Sequence, residues 1–323
     1  MTSADTPEIL LIRQTRPDVA ERLSARFRLH RLEQAPDRDA FLSQVGPRIR
    51  GLAVGAMTPI GPALFDRLPK LEIVSSFGVG YDTIDVNEAA RRGIVVTHTP
   101  DVLSDEVADL ALGLLLATVR RIPHADRYLR EGRWRQASFP LTASLRARKA
   151  GILGLGRIGR AIATRLEAFG VSVAYHGRHP QDGPYAYHDS LIGLARASDI
   201  LIVAAPGGPE TQGIVDAAVL AALGPDGIVI NIARGSVIDE AALTAALKAG
   251  TILGAGLDVF ENEPHVPGDL AALDNTVLLP HVGSGSHTTR AAMGRLLTDN
   301  LFAWFEGRAP LTPVPETPVP GAR

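Results

Sequence analysis

The run Gly154-Leu155-Gly156-Arg157-Ile158-Gly159 limits the possible folds more than any other feature of the chain. It lies between an apolar stretch, Gly151–Leu153, and a helix-patterned segment, Arg157–Phe169. A strand that turns through glycines straight into a helix opens a dinucleotide-binding βαβ unit. In such a unit Gly154 permits the tight turn and Gly156 lets a pyrophosphate approach the backbone. Gly159 lets helix and strand pack closely, while the helix N-terminus offers its free N–H groups to the phosphates. A bare glycine pattern is often only a turn; the strand before it and the helix after it make this one a cofactor site.

The same rhythm fills the rest of the chain. Further strands are expected at Val171–Tyr175, Ile200–Ala204, Ile228–Ile232, Ala255–Val259 and Val277–Leu279, giving six in one doubly wound sheet. Before residue 150, Glu8–Arg13, Gly51–Gly55, Leu71–Ser76 and Ile94–Thr97 read as strands and Pro17–Arg26 as a helix. Continuous apolar runs such as Ile94-Val95-Val96 suit parallel strands covered on both faces. The fold class is therefore α/β, with two doubly wound parallel-sheet domains. A long helix is expected over Asp105–Ile122, capped by Ser104, and another over His287–Phe305, capped by Ser286. The tail Ala309–Arg323 carries five prolines and few apolar anchors. Its composition predicts a disordered or loosely attached segment.

Composition narrows the partners. A net charge of -2 gives no electrostatic case for nucleic acid or an anionic membrane. With no cysteine there is no disulfide, thiolate metal site or cysteine nucleophile. The longest apolar stretch, Leu110–Val119, is too short for a membrane span. Met1–Pro7 lacks the basic and apolar regions of a signal peptide, so a cytoplasmic location is expected.

The end of the second cofactor-domain strand selects the dinucleotide. It reads Tyr175-His176-Gly177-Arg178-His179, with no carboxylate where an NAD site usually has one for the ribose hydroxyls. An arginine there welcomes a 2′-phosphate. NADP(H) is the expected cofactor, with NAD(H) possible. Among nine histidines, His281 stands out because it follows the last strand of a doubly wound sheet, where ligands bind. Histidine as a residue type takes up and releases a proton near neutral pH, which suits a proton donor. Arg234 follows another strand, Ile228–Ile232, and could hold a carboxylate bidentately.

Five motifs resemble those of the D-isomer-specific 2-hydroxyacid dehydrogenases, over about residues 51–290. They are Val79-Gly80-Tyr81-Asp82, the Gly154–Gly159 fingerprint, Asn231-Ile232-Ala233-Arg234-Gly235, Asp258 followed by Glu261-Asn262-Glu263-Pro264, and Pro280-His281-Val282-Gly283-Ser284. Within the family the chain is most similar to NADP-preferring glyoxylate and hydroxypyruvate reductases. The resemblance implies a Rossmann cofactor domain, residues 100–286, inserted into a flavodoxin-like substrate domain of residues 1–99 and 287–310. Residues 311–323 are left as a proline-rich tail. It implies catalysis by Arg234, Glu263 and His281, with Glu263 favouring the charged imidazolium. Substrate would be held by Arg234, His281 and the amides of Val79 and Gly80. Beside the fingerprint (Gly154, Leu155, Gly156, Arg157, Ile158, Gly159), it implies cofactor contacts at Val107, Gly177, Arg178, His179, Ala205, Pro206, Thr211, Ile232, Ala233, Asp258, Gly283 and Ser284. Asp258 could instead cap a loop.

The resemblance also implies a homodimer through the cofactor domain. Trp134 would either enter the neighbouring subunit's pocket or simply pack, and residues 56–58 could line the substrate pocket. The competing readings are a phosphite or bulkier keto-acid dehydrogenase on the same scaffold and, in another class, a dinucleotide-sensing corepressor. A formate dehydrogenase is disfavoured, because those enzymes carry glutamine where Glu263 stands.

Overall fold

A computed structural model describes residues 6–13, 16–55, 57–317 and 319. Their contacts divide the chain into two compact units, one from Met1–Leu103 with Ser286–Arg323, the other Ser104–Gly285.

The described residues of the first unit form five strands: β1 (Glu8–Leu11), β2 (Arg28–Arg31), β3 (Ile49–Gly55), β4 (Ile73–Phe77) and β5 (Val95–Thr97). All pair in parallel, in the order β2-β1-β3-β4-β5. This is the flavodoxin-like order. Successive residues of each strand point to opposite faces, and both faces are covered. Leu10, Leu52 and Val74 enter one core with Phe65, while Ile9, Ala53 and Ile73 enter another with Leu297 and Leu301. That double burial is why the strands read as unbroken apolar runs. Leu297 and Leu301 belong to the helix His287–Phe305, whose Ser286 cap accepts the Thr289 N–H. The helix is locked to the sheet by a bond from Ser75 Oγ to the Leu297 carbonyl (3.0 Å).

The second unit holds β6 (Lys149–Leu153), β7 (Ser172–His176), β8 (Ala186–Tyr187), β9 (Ile200–Val203), β10 (Ile228–Asn231), β11 (Gly254–Leu257) and β12 (Thr276–Leu278). Its order is β12-β11-β10-β9-β6-β7-β8, again all parallel. Counted within the unit this is the Rossmann order 3-2-1-4-5-6 with a seventh strand added, so the direction of winding reverses between β6 and β9.

Four expectations need correction. Both sheets carry an edge strand the apolar pattern did not announce: β2 is charged and half-exposed, and β8 has only two residues. Ser104 is the first residue of its helix rather than the cap, and its buried hydroxyl has no hydrogen-bond partner among the described residues. That helix stops at Val119 rather than Ile122. Arg121 takes φ +49° and a second helix, Ile122–Arg130, starts with Pro123 in its first turn. Finally, the described part of the tail is not loose. Thr97 and Pro313 form an antiparallel bridge, and the Val314 N–H donates to the Val96 carbonyl (2.9 Å). Val314 and Thr317 are buried. Proline-rich sequence hid this because an edge pairing needs only alternate N–H groups, which the prolines leave available. Residues 318 and 320–323 lie outside the described residues, as does Ala56 of the suggested pocket lining.

Candidate active site

Two of the three fingerprint glycines, Gly154 and Gly159, meet a steric demand that the strand–turn–helix imposes. Gly154 follows β6 with φ +94°, and a Cβ there would sit 2.8 Å from Ala205, just beyond β9. A Cβ on Gly159 would lie 2.2 Å from the Gly154 carbonyl oxygen, so only glycine lets the helix Arg157–Ala168 close onto the turn. Gly156 is different: a Cβ there would meet nothing within 4 Å. It precedes the helix and, as a glycine, has no side chain to cap the first-turn N–H groups. The open space and the uncapped amides lie at the switch point of the sheet, and they fit a pyrophosphate.

The adenosine end fits the same group. Gly177 and Arg178 follow β7; Arg178 is exposed and makes no hydrogen bond or ion pair among the described residues. His179 is exposed beside it. In the loop after β9, the Thr211 hydroxyl donates to the Pro206 carbonyl (2.7 Å), bracing Ala205–Thr211 from within.

The catalytic candidates come from three loops at the strand ends of this unit. His281 Nδ1 lies 2.8 Å from Glu263 Oε2, and the Phe260 N–H donates to Glu263 Oε1 (3.2 Å). Burial raises the Glu263 carboxyl, but His281, the Phe260 amide and the charge of Arg234 outweigh it and hold the group below its ordinary value. An ionised carboxylate can only accept, so Nδ1 carries the proton of that bond and Nε2 is left for other work. His281 adopts φ +53°, in the left-handed region that histidine tolerates better than most residues.

Asp258 explains how that turn is held. It is 1% exposed; Oδ1 accepts from the Val282 N–H (2.7 Å) and Oδ2 from the Gly283 N–H (2.8 Å). The Asp258 carbonyl accepts from the His281 N–H (2.9 Å). Burial pushes its carboxyl up, and the two amide bonds offset this only in part. Gly283 packs near both Asp258 and Val107 of the helix Ser104–Val119; Ser284, half-buried, follows it.

Two further residues position Arg234. Asn231, buried at the end of β10, accepts the Ala233 N–H (3.0 Å) and donates to the Arg234 carbonyl (2.9 Å). A Cβ on Gly235 would lie 1.9 Å from the Phe260 carbonyl carbon. That close approach brings the arginine loop against the segment that carries Glu263. Ile232 and Ala233 are buried between. Asn231 had a sequence signal, a polar residue closing the apolar run Ile228–Ile230; Gly235 was legible only as part of a motif.

The other substrate candidates, Val79 and Gly80, lie in the first unit, in the half-buried loop after β4. That loop is tied to the one after β3, where the Ile60 N–H donates to the Thr83 carbonyl (2.9 Å). Thr58, buried in the β3 loop, has a hydroxyl with no partner among the described residues. No cluster of metal-ligating side chains occurs among the described residues, and no described helix is long and apolar enough to cross a membrane.

Fold and site together define a dinucleotide-dependent oxidoreductase. The model of the D-isomer specific 2-hydroxyacid dehydrogenase NAD binding domain matches residues 112–283, and the chain belongs to that family. It is 48% identical over 295 residues to hydroxyphenylpyruvate reductase of Plectranthus scutellarioides, covering 91% of this chain and 94% of the relative. It is 48% identical over 293 residues to a glyoxylate/hydroxypyruvate reductase of Arabidopsis thaliana, covering 90% and 94%. Among solved structures, an NADPH-dependent glyoxylate/hydroxypyruvate reductase of Sinorhizobium meliloti, in complex with NADP and malonate, superposes with a TM-score of 0.91. It shares 52% identity over 97% of this chain and 98% of that one.

Proposed function

We propose that this enzyme reduces small 2-keto acids, glyoxylate and hydroxypyruvate foremost, to 2-hydroxy acids with NADPH. The observation that carries the reading is the His281–Glu263 pair, 2.8 Å apart, beside the Arg234 loop at the strand ends of a dinucleotide-binding sheet. When bound, the dinucleotide supplies the hydride for the carbonyl carbon. The chain supplies the rest. Arg234 grips the substrate carboxylate and polarises the ketone. Glu263 holds the imidazole by Nδ1, and Nε2 delivers the proton to the carbonyl oxygen. The Val79 and Gly80 amides hold the carboxylate as well.

The fingerprint Gly154–Gly159 takes the pyrophosphate, and Gly177, Arg178 and His179 take the 2′-phosphate. Val107, Ala205, Pro206, Thr211, Ile232, Ala233, Gly283 and Ser284 line the remaining length of the cofactor. Asp258 clasps the histidine turn against it. The sheets and their order support residues 104–285 as the cofactor domain and the other unit as the substrate domain.

A homodimer belongs to the same reading. Ile122, Leu129, Trp134 and Leu141 are exposed apolar residues within twenty positions, and Leu141 is fully exposed; exposed apolar side chains of this kind suit burial against a second copy of the chain. A cysteine-free sequence suits a reducing compartment such as the cytoplasm. A bulkier aromatic keto acid is the second reading, favoured by the similarity to a hydroxyphenylpyruvate reductase.

The test is a pair of variants assayed with glyoxylate, hydroxypyruvate and phenylpyruvate. His281→Ala is expected to lower kcat by about a hundredfold or more and to leave NADPH binding intact. Arg234→Lys keeps the charge but loses the planar fork, and the expected effect is a large loss of kcat/KM toward every keto acid. Parent-like turnover of His281→Ala would remove His281 from the mechanism.

A further inference from the structure

The tail that pairs with β5 does more than cover an edge. Its residues converge on the loop after β4. The Thr312 Oγ1 donates to the His98 carbonyl (2.6 Å), and the His98 N–H donates back to the Thr312 carbonyl (3.2 Å). Thr312 is itself fixed by Asn300, 0% exposed, which accepts its N–H (3.0 Å) and donates to its hydroxyl (2.9 Å). His98 in turn reaches the loop: its Nδ1 lies 2.8 Å from the Val79 carbonyl. A carbonyl only accepts, so Nδ1 is the donor. The Tyr81 ring meets His98 edge to face at 5.3 Å, and its hydroxyl lies 3.3 Å from both carboxylate oxygens of Glu316. The Thr99 N–H donates to the Gly78 carbonyl (2.8 Å) at the loop's other end.

We propose that the C-terminal segment 312–317 braces the substrate loop, with His98 as the positioning residue that transmits its grip to Val79. The Val79 carbonyl belongs to the same peptide plane as the Gly80 N–H. A donor that fixes the carbonyl therefore fixes the direction in which the amide points. Amides aimed in advance bind a carboxylate without reorganisation, so the brace acts on substrate affinity. It leaves the proton and hydride steps alone. The proposal rests on the reading that this loop's amides hold the keto-acid carboxylate.

The test uses full-length protein with glyoxylate and NADPH. His98→Ala is expected to raise the glyoxylate KM about three- to tenfold, the usual worth of one hydrogen bond. The kcat and the NADPH KM should stay at parent values. His98→Asn, which can place an amide donor where Nδ1 stands, should restore the glyoxylate KM. Glu316→Ala, at an exposed position, should shift the same parameter in the same direction by less. An unchanged glyoxylate KM in His98→Ala overturns the proposal. So does a fall in kcat and thermal midpoint that asparagine does not rescue, since that pattern belongs to packing alone. Gly80→Pro, which deletes the amide itself, separates the two claims. If it leaves the glyoxylate KM unchanged, the reading of the loop fails. If it raises KM while His98→Ala does not, only the brace fails.

Discussion

At the scale of single residues, the site sorts two carboxylates in opposite directions. Asp258 is raised by burial, while Glu263 is pulled down by His281, the Phe260 amide and Arg234 despite its own burial. Environments that push neighbouring acids apart assign them different work. Glu263 stays ionised and orients the histidine; Asp258 spends both oxygens on the amides of the histidine turn. A carboxylate with a depressed native pKa stabilises the fold above its ordinary value, and this contribution vanishes as pH falls through the depressed value. Glu263→Gln removes it. The parent should therefore be more stable than the variant at pH 7, and the gap should close as pH drops below about 4.5, the ordinary glutamate value. Thermal melts of both proteins from pH 7 to pH 3 check this. A gap that persists or widens in acid would mean that Glu263 is not held ionised by His281.

His281 and Arg234 were legible as candidates from their places after strand ends, and Glu263 from the family resemblance. The bonds that orient them were not. The Phe260 amide, the Asn231 clasp and the double amide grip of Asp258 depend on which backbone groups the loops leave unpaired, and side-chain pattern carries no record of that.

At the scale of elements, the strand–turn–helix of the cofactor loop separates two roles that one motif conflates. A Cβ on Gly159 collides with the Gly154 carbonyl, whereas a Cβ on Gly156 meets open space. Gly159→Ala should destabilise the protein by about 1–3 kcal/mol, the usual cost of overpacking. Gly156→Ala should leave the thermal midpoint at its parent value and raise the NADPH KM, because its methyl occupies the approach to the phosphates. Melting curves and cofactor titrations of the two variants test the distinction. Equal destabilisation by both would reduce the fingerprint to a packing turn.

Most strands were readable from their apolar runs, since burial on both faces leaves no polar alternation to confuse. The edges were not. Arg28, His30 and Arg31 make β2 look like a surface loop, yet Glu8 on β1 accepts from His30 (2.6 Å) and pairs with Arg28 (3.6 Å) to hold that edge. The tail failed for the related reason that proline content argues against a helix or a central strand but not against a single edge pairing.

At the scale of the whole molecule, each unit carries its own parallel sheet and its own switch point, and the order of strands in each was implied by the family resemblance rather than by periodicity. Periodicity gives strand and helix but not which strand neighbours which. Cofactor choice rests on a small region: the absence of a carboxylate after β7 and an exposed Arg178 with no partner among the described residues. A hydrogen bond to a charged group contributes about 1.5–3 kcal/mol, which corresponds to roughly ten- to a hundredfold in affinity. Solvent screening at an exposed position favours the lower figure.

The most direct measurement is steady-state dinucleotide oxidation with saturating glyoxylate, comparing kcat/KM for NADPH and NADH at one fixed salt concentration. The account predicts saturable, glyoxylate-dependent turnover and a preference for NADPH of about tenfold or more. No glyoxylate-dependent oxidation of either dinucleotide, or an equal or better kcat/KM with NADH, would contradict it.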